Sequence, residues 1–503
     1  MPDTTRILAI DQGTTSTRAV MFDADAQPLA VSQQSLKQIF PTDGWVEHDP
    51  EEIWTAVVDV CRTVIAQTGG PANIAAIGIT NQRETTVVWD RRTGKPLMNA
   101  IVWQDRRGAA RCAELKKEGH EQTIQDKSGL LLDSYFSATK IEWMLNTIDG
   151  ARSAAEAGHL AFGTIDTFLL WRLTGGRTHA TDATNASRTM LCNIHSGGWD
   201  DDLLKLFGVP KSMLPDIRDT AGSFGQTDAD ILGAEIPVCG IVGDQQGALV
   251  GQACFAPGMI KSTYGTGCFV LASTGAEALK SKNRMLTTIA YQIDGVITYA
   301  LEGSIFNAGT VIQWLRDNMK LIEHAADSET LAASLNDAGD KGANNGRVVL
   351  VPAFTGLGAP HWDPHARGAI LGLTRDTGVA EVVRAGLESV CFQTADLLNA
   401  LRQDGIPAPS ALRVDGGMAA NTWLLQFLAD ICDVPVERPA YNETTVLGAA
   451  FLAGLGRGVY SSLDEVKTAW RLESRATPSM ESVRRAALLT DWQNAVARVK
   501  TQP

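Results

Sequence analysis

The sequence lacks several features that would narrow its chemistry at once. None of its eight cysteines stands in a Cys-x-x-Cys pair: Cys61, Cys112, Cys192, Cys239, Cys254, Cys268, Cys391 and Cys432 are scattered through 503 residues. That excludes the usual zinc-ribbon and thioredoxin spacings and favours reduced, mostly buried thiols in a cytoplasmic protein. No uncharged apolar run reaches the roughly 18 residues of a membrane span, and Met1-Pro2-Asp3-Thr4-Thr5-Arg6 has no signal-peptide layout. Basic charge is short. With 44 Lys+Arg against 57 Asp+Glu, the net charge is −13, which argues against a nucleic-acid surface or a polybasic membrane contact. A Walker A loop is missing, since Gly94-Lys95 is followed by Pro96, and so is the protein-kinase motif set. His361 and His365 have metal-ligand spacing, but Pro360 and Pro364 oppose a regular helix there and no third ligand is evident, so no histidine metal site is expected.

What is present points to α/β architecture in more than one domain, because 503 residues exceed what a single core holds. Ile7-Leu8-Ala9-Ile10 and Ala19-Val20-Met21-Phe22 read as strands around a polar turn. Ile74 to Ile79, Thr86 to Trp89 and Leu160 to Gly163 read as further strands, and Ile165 to Leu173 as a helix stopped by Gly175-Gly176. A second series follows: Ile236 to Gly243, Met259 to Tyr264 and on to Leu271, Arg347 to Val351, and Leu412 to Val414. Asn421 reads as the N-cap of a helix running to Ile431. The tail after Trp470 reads as charged and helical. A strand followed by an acidic residue and glycine occurs near residue 11 and again in 243–267. This predicts two domains of similar construction, 1–251 and 252–503, divided near Gly251.

Several segments carry chemistry. In Asp11-Gln12-Gly13-Thr14-Thr15-Ser16 a carboxylate ends an apolar run, and glycine and hydroxyls follow. Backbone N–H groups and hydroxyls at such a turn grip phosphate oxygens, and Asp11 suits a hydrated Mg²⁺. The same segment also fits an ordinary β-hairpin. Asp244 follows a long apolar run and is flanked by amides, Gln245 and Gln246, which suits a proton acceptor at a strand end or a plain helix cap. Gly265-Thr266-Gly267 and Asp415-Gly416-Gly417 read as loops against which a nucleotide lies, or as simple turns. Arg83-Glu84 between two strands offers paired donors and acceptors to a polyol; the alternative is a surface turn with a weak ion pair. Trp103 offers a flat face to carbon, or core packing.

Together, Asp11-Gln12-Gly13-Thr14-Thr15-Ser16, Asn81-Gln82-Arg83-Glu84-Thr85-Thr86, Trp103-Gln104-Asp105-Arg106-Arg107, Gly243-Asp244-Gln245-Gln246, Thr263-Tyr264-Gly265-Thr266-Gly267-Cys268-Phe269 and Val414-Asp415-Gly416-Gly417 resemble the glycerol kinases. These are a branch of the FGGY carbohydrate kinases within the actin/hexokinase-like ATPase superfamily. Thr184 to Leu191 and Phe354 to Pro360 fit the same pattern, and the resemblance runs from about residue 6 to residue 460. It implies two ribonuclease-H-like domains around a central cleft and phosphorylation of glycerol by ATP with Mg²⁺. It implies a polyol pocket of Arg83, Glu84, Trp103, Tyr135, Asp244, Gln245 and Phe269, with Asp244 as general base. On the nucleotide side it implies Thr14, Thr15, Ser16, Arg18, Gly265, Thr266, Gly309, Gln313, Gly417 and Asn421, with Asp11 near the metal. It also implies a homodimer or homotetramer. The chain departs from the pattern in residues 225–236, which contain Asp228, Asp230 and Glu235 but no Lys or Arg. Control by a sugar bisphosphate bound at a basic loop is therefore not expected. Gly247 stands where alanine is usual, with no expected effect. Two other readings remain open at this stage: a kinase for another polyol or sugar, and an ATP-binding assembly protein of the actin type.

Overall fold

The computed structural model describes residues 5–335, 347–363 and 365–501. Pro364 lies outside them. Two mixed sheets organise the chain. The first has the order Val238–Gly243, Ile74–Asn81, Arg6–Gln12, Ser16–Asp23, Pro28–Ser35. Its last three strands pair antiparallel, while Arg6–Gln12, Ile74–Asn81 and Val238–Gly243 run parallel. Near-continuous Ile, Leu, Val and Ala in these parallel strands, buried on both faces, explain why they lie inside.

The second sheet repeats this plan. Ile260–Tyr264 pairs antiparallel with Cys268–Gly275, which pairs antiparallel with Val296–Ile305. On its other side Ile260–Tyr264 runs parallel to Leu412–Asp415, which runs parallel to Val436–Pro439. Leu286–Ile293 and Leu472–Ala476 add one edge each. The latter corrects the sequence reading: the segment after Trp470 begins with a strand before the helix Ser482–Val499. Its alternate residues face a sheet edge half in water, which leaves little apolar signal.

In each half the first two strands are joined by a short glycine turn, Gly13 to Thr15 and Gly265 to Gly267. The halves also interlock. The helix Thr444–Arg457 packs on the first sheet and crosses Asp244–Gly251. The crossing is close enough that a Cβ on Gly448 would stand 1.9 Å from the Gly247 carbonyl oxygen, and one on Gly251 2.0 Å from that of Thr444. Only glycine permits this approach.

Candidate active site

Ile74–Asn81 and Val238–Gly243 are parallel neighbours with Asn81 opposite Gly243, so Arg83, Glu84 and Asp244 emerge together beyond their carboxyl ends. Crevices at such ends are where α/β proteins build sites. Asp244 opens the helix Asp244–Gly251, whose N-terminus favours its negative charge. Its Oδ1 accepts from the Gln245 backbone N–H at 2.7 Å and pairs in charge with Arg83, whose Nε lies 3.0 Å away. Burial raises its proton affinity, Arg83 and Lys261 pull it back, and the net result is a carboxyl above its usual range. That suits a group that must take a proton.

Arg83 and Glu84 are not a surface turn, as one sequence reading allowed. Both are almost fully buried, and each finds its main partner elsewhere. Arg83 donates to Glu302 at 2.6 and 3.1 Å and to Gln246 Oε1 at 3.1 Å. Arg188 donates to Glu84 at 2.6 Å and to Glu302 at 3.0 Å. Burial opposes the charge on Arg83, but Glu302 and Glu84 outweigh it and raise its pKa. Burial likewise opposes the charge on Glu302, yet Arg188 and Arg83 hold its carboxyl down at about 2. Arg83 and Arg188 thus join Glu84, Glu302 and Asp244 in one buried ion-pair network, the condition for burying so much charge.

Aromatic rings wall this cluster. Trp103 packs edge-on to Tyr135 at 5.5 Å and to Phe269 at 6.4 Å between centroids. Trp103 Nε1–H donates to Thr14 Oγ1 at 2.9 Å, which ties the first glycine turn to the same wall. Within that turn Gly13 N–H donates to the Ser16 carbonyl at 2.9 Å. Asp11, half-buried on the adjoining strand, has its carboxyl pushed up to about 7 by burial; Arg18 opposes this, and Asp244 and Glu443 add to it. A carboxylate so short of positive charge fits a divalent cation. Arg18 itself is tied outward, donating to Gln33 Oε1 at 3.1 and 3.2 Å and pairing with Glu443.

The second turn is built on backbone. Thr266 carbonyl accepts from Ala308 and Thr310 N–H at 3.1 Å, and Gly265 carbonyl accepts from Gly309 N–H at 2.9 Å. A Cβ on Gly309 would stand 2.5 Å from that Gly265 oxygen. Gly417 lies beyond Leu412–Asp415, the parallel neighbour of Ile260–Tyr264, so it belongs to the same sheet end. Asn421 is the N-cap expected of it, accepting from Leu424 N–H at 2.8 Å. Gln313 stands further out, on a cleft of about 770 Å³ that it lines with Thr310, Trp314 and Phe354.

Sequence reasoning missed Glu302, Arg188 and Lys261. A signal existed for two of them: Lys261 and Glu302 are lone charges inside otherwise uncharged strands, and such charges are buried only where partners satisfy them.

Two glycine turns bordering one buried ion-pair network, on two sheets of the same topology, define an actin/hexokinase-like fold of two domains. The chain belongs to the FGGY family of carbohydrate kinases: residues 6–251 match the family's N-terminal domain and residues 260–456 its C-terminal domain. It is 60% identical over 497 residues to glycerol kinase 1 of Pseudomonas aeruginosa, covering 99% of both chains. It is 59% identical over 496 residues to the glycerol kinase of Rhodospirillum centenum, covering 98% of both. Among solved structures, Plasmodium falciparum glycerol kinase with ADP superposes with a TM-score of 0.91 at 38% identity, covering 99% of both chains. A xylulose kinase from Lactobacillus acidophilus shares the fold, with a TM-score of 0.86 at 24% identity over 98% of both chains.

Proposed function

We propose that this protein transfers the γ-phosphoryl group of ATP to glycerol, giving glycerol 3-phosphate and ADP, with Asp244 as general base. The observation that carries the reading is the grouping of Arg83, Glu84, Asp244 and Gln245 against Trp103, Tyr135 and Phe269, in a chain about 60% identical to glycerol kinases. Glycerol has three hydroxyls and little apolar area, so recognition rests on paired polar groups, with the rings covering its carbon edge. Asp244 Oδ1 is already engaged by the Gln245 backbone N–H and by the charge of Arg83. Oδ2 is left to take the hydroxyl proton as the oxygen attacks the γ-phosphorus and ADP departs. Backbone N–H groups and hydroxyls of Thr14, Thr15, Ser16, Gly265 and Thr266 would hold phosphate oxygens, and Gly309, Gln313, Gly417 and Asn421 the rest of the nucleotide. Asp11 would hold Mg²⁺, which when bound neutralises triphosphate charge.

In this reading 1–251 carries the polyol pocket and first turn, and 252–503 the nucleotide side. The eight buried, unbridged thiols support a reducing compartment such as the cytoplasm. The resemblance supports a homodimer or homotetramer, which sedimentation measures. ADP release, coupled to a reporter, is the functional test. The expected kcat/KM is highest with glycerol; a higher value with xylulose, gluconate or erythritol would overturn the choice of substrate.

A further inference from the structure

Lys261 is fully buried at the centre of the cleft, on the strand Ile260–Tyr264. Its Nζ has one partner for each proton: Gln245 Oε1 at 2.6 Å, Thr263 Oγ1 at 3.0 Å and the Phe269 carbonyl at 3.3 Å. An ammonium only donates. The Gln245 amide must therefore present its oxygen to Lys261 and turn its NH₂ the other way. Among the described residues nothing accepts from that NH₂. The neighbouring Gln246 differs: its NH₂ donates to Thr288 Oγ1 and the Ile289 carbonyl, both at 3.2 Å, and its oxygen accepts from Arg83. Of two adjacent glutamines, one is fully spent on structure and the other keeps two donor protons beside Asp244.

We propose that Lys261 is a positioning residue that fixes Gln245 as a hydrogen-bond donor to the polyol, so that the hydroxyl it holds must turn its own proton toward Asp244. The inference rests on the polyol-kinase reading above. A free glutamine amide flips at little cost and offers either its oxygen or its NH₂. With the oxygen facing the hydroxyl, the hydroxyl would donate to Gln245 and its proton would point away from the base. Clamping the oxygen removes that arrangement. The same clamp links the first-half helix Asp244–Gly251 to the second-half strands, because Lys261 also holds Thr263 and the Phe269 carbonyl. The donor is thereby set only when both halves are in register.

The test compares wild type, Lys261→Met, Gln245→Ala and the double variant, with glycerol and with propane-1,2-diol and propane-1,3-diol, each lacking one hydroxyl. Lys261→Met keeps the stem and removes the donors. Its kcat/KM is expected to fall by about tenfold or more with glycerol and by a similar factor with both diols, since the attacking hydroxyl is common to all three, and the double variant to match Gln245→Ala within about threefold. Independent, multiplying effects of the two changes, or a loss in Lys261→Met confined to glycerol, would overturn the proposal. If Lys261→Met does not fold, Gln245→Glu decides: it keeps a partner for Lys261 but gives the polyol an acceptor in place of a donor. Retention of wild-type kcat/KM there would overturn the proposal, and a loss of about tenfold or more would support it. Wild type without glycerol-dependent ADP release would instead overturn the functional reading itself, a result distinct from an active wild type with an unaffected variant.

Discussion

Arg83 and Glu302, 219 positions apart, face each other as a bidentate pair, Nη1 to Oε2 at 2.6 Å and Nη2 to Oε1 at 3.1 Å, with neither side chain reached by solvent to any extent. Arg83 follows a strand of the first sheet and Glu302 lies on a strand of the second. The pair holds the Arg83 guanidinium beside Asp244, Nε to Oδ1 at 3.0 Å, and fastens the two halves at the cleft floor. Removing one carboxylate leaves Arg83 and Arg188 short of charge where water cannot compensate. Glu302→Ala is expected to cost about 3–5 kcal/mol of stability, read as a lowered denaturation midpoint. A loss under about 1 kcal/mol would show that water or Glu84 takes over.

Asp244→Asn keeps the size of the side chain and removes the proton acceptor. The expected result is a kcat lower by roughly 10²–10⁴, with a smaller change in KM for the polyol. A kcat within about threefold of wild type would remove Asp244 from the role of base.

Asp11→Asn relieves the carboxyl that burial pushes up to about 7, so the fold should tolerate it. Mg²⁺ titrations of turnover are expected to shift to higher concentration by about tenfold, as for loss of one carboxylate ligand or its partner. Superimposable titrations would exclude Asp11 from the metal site.

Gly448→Ala puts a methyl group 1.9 Å from a backbone oxygen where the Thr444–Arg457 and Asp244–Gly251 helices cross. The helices must separate, and a destabilisation of about 1–3 kcal/mol is expected from overpacking. Gly247→Ala, whose nearest atoms are 3.1 Å away, should be much milder. Equal midpoints for the two variants would contradict the packing described.

Burial lowers His48 and His179 from 6.5 to about 4 each. Between those values the unfolded chain binds more protons than the folded one, so stability falls as pH drops from 6.5 toward 4. Each histidine contributes up to about 1.4 kcal/mol per pH unit in that window. Chemical denaturation of His48→Gln against wild type at pH 7 and pH 5 checks this: the variant should lose less stability over the interval.

Local patterns were enough for much of the fold. Continuous apolar runs marked the buried parallel strands, and the glycine turns after the first strand of each half were legible because tight backbone needs glycine. The N-cap at Asn421 and the helix Ile165–Leu173 were likewise readable from neighbouring residues alone. The strand Leu472–Ala476 was not, since an exposed edge has no apolar alternation to detect.

Sequence by itself singled out the candidates for the chemistry: Asp11, Arg83, Glu84, Trp103 and Asp244 stand in short segments whose type and order carry the family pattern. Only the tertiary structure decided what those residues face. Glu302 reaches Arg83, and Lys261 reaches Gln245, because two sheets of one topology meet at their strand ends. Such pairings depend on distances through space between segments far apart in the chain, and on the loss of water that makes an unpaired charge costly. Neither quantity is written in any local run of residues.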